Sequence, residues 1–382
     1  MKRTGFVLWT VGFFLCAQAA QADWTPARRL TWNPGGSWGP AIAVDSSGKL
    51  HVVWYDGTYG NSEICYKMST DGGNTWTASR RITWTSGISV YPDIAVDPSD
   101  NLHVTWQDSS PGNEEIYYKR STDGGNTWTT TQRLTRTSGD SYYPKMIADP
   151  SGDLHIVWFD NTPGNYEVYY RKSTDGGAGW TKNQRITWNP GDSISRDIIV
   201  GLSGHLYVFW ADFTPGNNEI YCSKSTDSGK SWPANQRLTW TSDGSDAVSA
   251  AVAPSGALHI AWQESLSGGN AVYYKRTTDG GASWTKSQRL SWNSGTSCEP
   301  TIAADSSGCL HVVWYDSSPG NFEVFYRKTL DGGITWEASQ RLSWNSGASY
   351  GPEIAVDPLD NLHVVWHDYT PGTAEIYYLR GK

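Results

Sequence analysis

Residues 42–84 hold the unit from which the fold is read. Ile42-Ala43-Val44 is a short apolar run closed by turn chemistry at Asp45-Ser46-Ser47-Gly48. Leu50-His51-Val52-Val53-Trp54-Tyr55 follows, rich in β-branched and aromatic side chains, and a Gly60-Asn61 turn leads into Glu63-Ile64-Cys65-Tyr66-Lys67-Met68. Gly72-Gly73 then turns the chain into a last segment, Trp76 to Trp84. Four short strands separated by turns predict an antiparallel meander. Both faces of each strand carry apolar side chains, so such a sheet cannot bury itself and must stack on neighbours of its own kind.

Repetition supplies the neighbours. Trp54, Trp106, Trp158, Trp210, Trp262, Trp314 and Trp366 recur every 52 residues without insertion. Arg29, Arg81, Arg133, Arg185, Arg237, Arg289 and Arg341 keep the same interval, as do Trp24, Trp76, Trp128, Trp180, Trp232, Trp284 and Trp336. A further ladder, Trp32, Trp84, Trp188, Trp240, Trp292 and Trp344, carries Arg136 in its missing slot. The three Trp ladders hold 20 of the 22 tryptophans, so the Trp excess belongs to the repeat. Seven copies of a four-stranded unit predict an all-β, seven-bladed β-propeller. The last copy stops after its third strand, near Ile376 to Leu379, while Trp24-Thr25-Pro26 is in register with a fourth. Segment 24–32 is therefore expected to complete the last blade and close the ring, which removes two sheet edges.

Composition agrees and narrows the class. The chain is Gly-rich, aromatic and only 18% charged, the opposite of a disordered composition. Its net charge of -8 argues against nucleic-acid or anionic-membrane binding. Lys2 and Arg3, the apolar run Gly5 to Ala17 and the small residues Ala20-Gln21-Ala22 read as a signal peptide over residues 1–22, cleaved near Ala22. Its loss makes the remaining chain two charges more negative. The run is too short for a membrane span, and no later segment is apolar enough to be one. The expectation is a secreted or periplasmic monomer formed by a single domain over residues 23–382.

Between the third and fourth strands sits Ser69-Thr70-Asp71-Gly72-Gly73-Asn74-Thr75-Trp76, repeated at Ser121 to Trp128, Ser173 to Trp180, Ser225 to Trp232, Thr277 to Trp284 and Thr329 to Trp336. It resembles the Asp-box, or BNR repeat, of bacterial and viral sialidases and of many non-sialidase propellers. The resemblance implies a propeller fold and a structural role for Asp71, Asp123, Asp175, Asp227, Asp279 and Asp331. It implies that the box is a folding turn on the rim, away from any substrate. The residues have local reasons as well: the aspartate accepts from turn amides and the tryptophan packs between blades.

Sialidases of this family clamp the substrate carboxylate with three arginines and use a Tyr nucleophile helped by Glu, with an Asp acid/base. Their early Arg-Ile-Pro motif is absent here, since Arg81-Ile82 and Arg185-Ile186 are each followed by Thr. The ladder arginines fall in the outermost strand, where they are expected to be solvated or paired. Arg196 alone lies at the start of an innermost strand, where five copies carry Pro. Symmetry is broken mainly in copies four and five: Arg196, Asp246 and Glu264 are the catalytic candidates, with Asp197 and Asp243 nearby. The alternative is drift of a duplicated repeat. Copy five also carries Ala271 where the six others have Glu.

The loops between strands two and three, and from strand four to the next blade, share one end of the ring. They present Asp56, Asp108, Asp160, Asp212, Asp316 and Asp368 beside the Trp32 ladder. Aromatic planes with fixed acceptors are sugar-site chemistry, and several weak sites on a rigid ring gain avidity. The competing reading has Trp32 and its equivalents cover the core and Asp56 tie its own loop. The leading expectation is a non-catalytic propeller binding an extracellular glycan; a sialidase-like or other glycoside hydrolase and a protein-docking platform are the alternatives. His51 and its equivalents sit on separate blades and suggest no metal shell, and no cofactor motif is present. Cys65, Cys222, Cys298 and Cys309 occupy four different repeat positions, so no disulfide framework is expected.

Overall fold

The computed structural model describes residues 23–292 and 294–382; the leader expected over residues 1–22 lies outside them. Seven four-stranded antiparallel sheets follow one another around an axis. Blade one runs Ser37–Val44, Leu50–Asp56, Glu63–Ser69 and Arg80–Arg81, and the others repeat it at the same interval. Blade seven takes its outer strand from the N-terminus: Arg28 pairs with Tyr378 and Arg29 with Tyr377. Thr31 Oγ1 accepts from the Ile376 amide, and the Leu30 amide donates to the Ile376 carbonyl. The closing strand thus seals the edge that the last sheet would otherwise leave open.

The core lies between blades. Trp54, Trp106, Trp158, Trp210, Trp262, Trp314 and Trp366 are fully buried, and each core cluster draws residues from two successive blades, such as Ile64 and Tyr66 with Val104 and Trp106. Strand-two histidines join this packing: His51 Nδ1 lies 2.8 Å from the Tyr66 hydroxyl, and His103 Nε2 lies 3.1 Å from Asp97. Burial lowers the affinity of these imidazoles for a proton despite the neighbouring carboxylates. The Asp-box turns sit on the rim. Asp71 accepts from the Thr75 amide at 2.8 Å, the Thr75 hydroxyl at 2.6 Å and the Ser69 hydroxyl at 2.8 Å, and the Thr75 bonds lead in holding its pKa at about 2. Gly73 cannot be substituted, because φ is +85° and a Cβ would strike Tyr378 of the neighbouring blade. Trp76 packs edge-on against that same Tyr378 at 5.0 Å.

Candidate functional site

The innermost strand of every blade starts at the loop end of the ring, and its first half is bulged. In blade one the pairing skips from Trp38 to Ala41, leaving Gly39 and Pro40 out of register; a proline has no amide to lose there. The bulge puts Tyr91, Tyr143, Ala247 and Glu299 in the left-handed region, with φ of 46° to 51°. Blade four differs. Ser195 keeps its partner Trp210, and the residue out of register is Arg196. These bulged segments and the ends of the second strands surround an axial cavity of about 1080 Å³.

One repeat position defines the cavity's chemistry. Ala41, Asp93, Lys145, Asp197, Ser249, Thr301 and Glu353 are the same slot in seven blades, and all line the cavity. Lys145 reaches across the axis: its ammonium is 3.3 Å from Asp93 and 3.6 Å from Glu353, which stands on blade seven. The acids also brace the inner ring, since Asp93 accepts from the Met146 amide at 2.7 Å and Asp197 from the Ala250 amide at 2.8 Å. Burial raises the Asp197 carboxyl to about 7, against the opposing pull of Lys145 and two backbone amides. Burial likewise raises Glu353 and Glu299. On Lys145, burial works against the charge, but Asp93, Glu353 and Asp197 together outweigh it and raise its pKa. Tyr55, Tyr91, Tyr143, Tyr315, Tyr350 and Tyr369 supply the aromatic wall, with His367 among them; burial holds that imidazole neutral, down to about 4.

Of the catalytic candidates, the structure brings two together. Arg196 lines the cavity and is held bidentately by Asp246, with both nitrogen–oxygen distances at 3.0 Å. Glu264 ends the second strand of blade five, opposite Ser245, and is not part of the cavity wall. Asp246 and Glu264 therefore belong to strands rather than loops and to different surroundings. The six ladder acids lie within their blades. Asp56, Asp108, Asp212, Asp316 and Asp368 are completely buried and Asp160 almost so. Asp56 accepts from Ser37, Trp54 and the Thr58 amide. Their oxygens tie the loop, as the competing reading has it, and leave no surface for a sugar hydroxyl.

The Trp32 ladder stands at the outer rim with about 70% of each indole exposed. Each rides near the guanidinium three residues before it, as Trp188 does on Arg185 at 4.2 Å and Trp344 on Arg341 at 4.3 Å. That exposure excludes the core-covering role. Six of the ladder arginines are ion-paired with the buried strand-three glutamate of their blade, at 2.5 to 2.9 Å. Cys65, Cys222, Cys298 and Cys309 are free thiols. Among the described residues no group of three or more His, Cys, Asp or Glu is arranged to hold a metal ion, and no helix is long and apolar enough to cross a membrane.

Sequence reasoning noted Asp197 beside Arg196 but missed Asp93, Lys145 and Glu353, the ring they form with it and the tyrosines above. The signal was present: the slot before Ile42-Ala43-Val44 holds six residue types in seven copies, although the positions flanking it are Pro and Ile in five copies each.

Asp-box turns, seven four-stranded blades and one polar axial cavity define a sialidase-like BNR propeller. The chain belongs to the BNR repeat-containing family, whose match covers residues 38–289. The curated proteins contain no match to it. Its fold is similar to that of a Dyadobacter fermentans protein of unknown function, with 14% identity, a TM-score of 0.60, and 78% of this chain and 96% of that one covered. It is also similar to the NanB sialidase of Streptococcus pneumoniae, at 13% identity and a TM-score of 0.53 over 93% of this chain and 70% of that one. A polysaccharide lyase described as an ulvan lyase, bound to a GlcA–Rha3S unit, shares 10% identity and a TM-score of 0.68, over 92% of this chain and 95% of that one.

Proposed function

We propose that the protein is an exported glycan-binding propeller whose principal site is the axial cavity, with the Trp32 ladder as a second, multivalent surface. The observation that carries this reading is the breakdown of seven-fold repetition where strand one faces the axis. A ring that needed only to fold could repeat Ala41 seven times. Instead the slot holds one lysine, three acids and two hydroxyls beneath a wall of tyrosines. Tyrosine planes suit the C–H faces of sugars, and charged groups suit their hydroxyls. Fold neighbours that include sialidases and a polysaccharide lyase favour a glycan over other ligands. Export rests on the leader read in residues 1–22. A non-catalytic role is supported because, among the described residues, Arg196 is the one arginine lining the cavity and Asp246 already holds it.

A glycan-cleaving enzyme is the second reading, and the shared placement of Glu299 and Tyr315 in the cavity wall favours it. Both line the cavity, and the glutamate's charge adds to burial in raising the phenol's pKa. A glycan array with the labelled protein, run beside a fluorogenic sialoside and a reducing-end release assay, separates the two. Binding abolished by Tyr315→Ala, kept by Trp32→Ala and accompanied by no product is the expected result. Product release that disappears in Glu299→Gln would establish the enzyme. Binding indifferent to Tyr315→Ala but lost when four or more ladder tryptophans are removed would move the site to the rim.

A further inference from the structure

The groove between blades five and six differs from its six sisters. In every other blade the ladder arginine donates to a fully buried glutamate at the start of strand three, as Arg237 does to Glu219 at 2.9 Å. Blade five has Ala271 at that position, also buried. Arg289 keeps the backbone part of the arrangement, its Nε donating to the Ser291 carbonyl at 2.6 Å, and among the described residues no carboxylate lies within ion-pair distance of it. Glu264 acts on it only through space. Beside Arg289, the Trp292 ring lies 4.8 Å from the guanidinium and is 70% exposed. Arg327 of blade six completes the wall: its guanidinium is fixed by the Leu290, Glu337 and Trp336 carbonyls, which orient the charge without neutralising it. Together with the exposed Ile334 these residues line a cavity of about 620 Å³ on the outer flank.

We infer that this groove binds a carboxylate-bearing sugar, with the acid on Arg289 and the ring on Trp292. A guanidinium with a free edge takes a carboxylate bidentately, and an indole face takes the apolar side of a pyranose. The class follows from the sister blades, where this same arginine is satisfied by a carboxylate from inside the protein. Arg327 adds a second positive charge at the rim. The site is independent of the axial cavity and would stand if that cavity bound nothing.

The probes are a galacturonate tetramer and its fully methyl-esterified counterpart, titrated calorimetrically into the mature protein. The acid form is expected to bind and the ester not. Arg289→Gln, at a half-buried residue with no ion pair among the described residues, is expected to weaken binding about tenfold or more. Ala271→Glu, which restores the ion pair of the other six blades, should do the same while keeping or raising Tm. Trp292→Ala should weaken binding as well. Equal affinity for acid and ester, no binding of either, or unchanged affinity in Arg289→Gln would overturn the assignment, whether or not Ala271→Glu folds.

Discussion

Trp54 and Trp32 are 22 positions apart on the chain and opposite in role. Trp54 is sealed between blades, so Trp54→Ala should cost about 3–5 kcal/mol, read from urea unfolding. Trp32 stands two-thirds exposed, and Trp32→Ala should stay within about 1 kcal/mol. Equal losses would mean that the ladder tryptophans are core. Titration separates residues in the same way. Asp197 is raised to about 7 from 3.8, so between those values the folded protein keeps a proton that the unfolded chain has released. Stability therefore falls as pH rises through that window. Asp197→Asn should remove part of the fall between pH 4 and 7, to which the raised carboxyls of Glu353 and Glu299 also contribute. The Asp-box carboxylates run the other way. Asp71, Asp123 and Asp227 are lowered to about 2, so what they contribute is present above 3.8 and lost as pH drops toward 2.

At the level of the strand, the pin that fixes the two-residue outer strand is the buried glutamate. Glu63 accepts from Arg81 at 2.5 Å and from the Thr85 amide at 3.0 Å, and also from the Thr83 hydroxyl. Such a short strand has few ladder bonds of its own, so this cluster holds it on the sheet. Arg81→Met leaves a buried carboxylate without its cation and should destabilise by about 3 kcal/mol. Arg289→Met in blade five removes no ion pair and should cost about 1 kcal/mol or less. Chemical denaturation of the two variants side by side is the measurement; matching losses would show that the Glu63 pair contributes nothing.

For the whole ring, closure is a non-local event: the first described strand must find the last one. Glu375 receives Arg29 and Thr31 from the opposite end of the chain, replacing with two termini what the other blades build within one copy. A chain starting after Trp32 should expose the strand Glu375–Gly381 as a free edge. It should then self-associate on size exclusion and lose the single cooperative melting transition. A monomer with unchanged melting would show that the ring does not need this closure.

Strand order, blade number and ring closure were all legible in the sequence, because each is fixed by local turns and a constant interval. The rim position of the Asp-box came from the family resemblance, and for the ladder arginines solvation and pairing were both open until the buried glutamates were placed beside them. The axial site was not legible. Asp93, Lys145, Asp197 and Glu353 are separated by 52 residues or more, and each alone looks like an ordinary polar residue before a strand. Only the circular arrangement turns them toward one axis, where Lys145 can touch a carboxylate from a blade on the far side. The ladder aspartates were open to two readings for the complementary reason: in one dimension Asp beside Trp is sugar-site chemistry and Asp before a turn ties its own loop. In three, strand two carries that carboxylate beneath the loop, where Ser37 and the Thr58 amide consume its oxygens. Periodicity determined the scaffold because folding a repeat is a local problem. The sites depended on tertiary structure because they lie where the repeats differ and where distant blades meet.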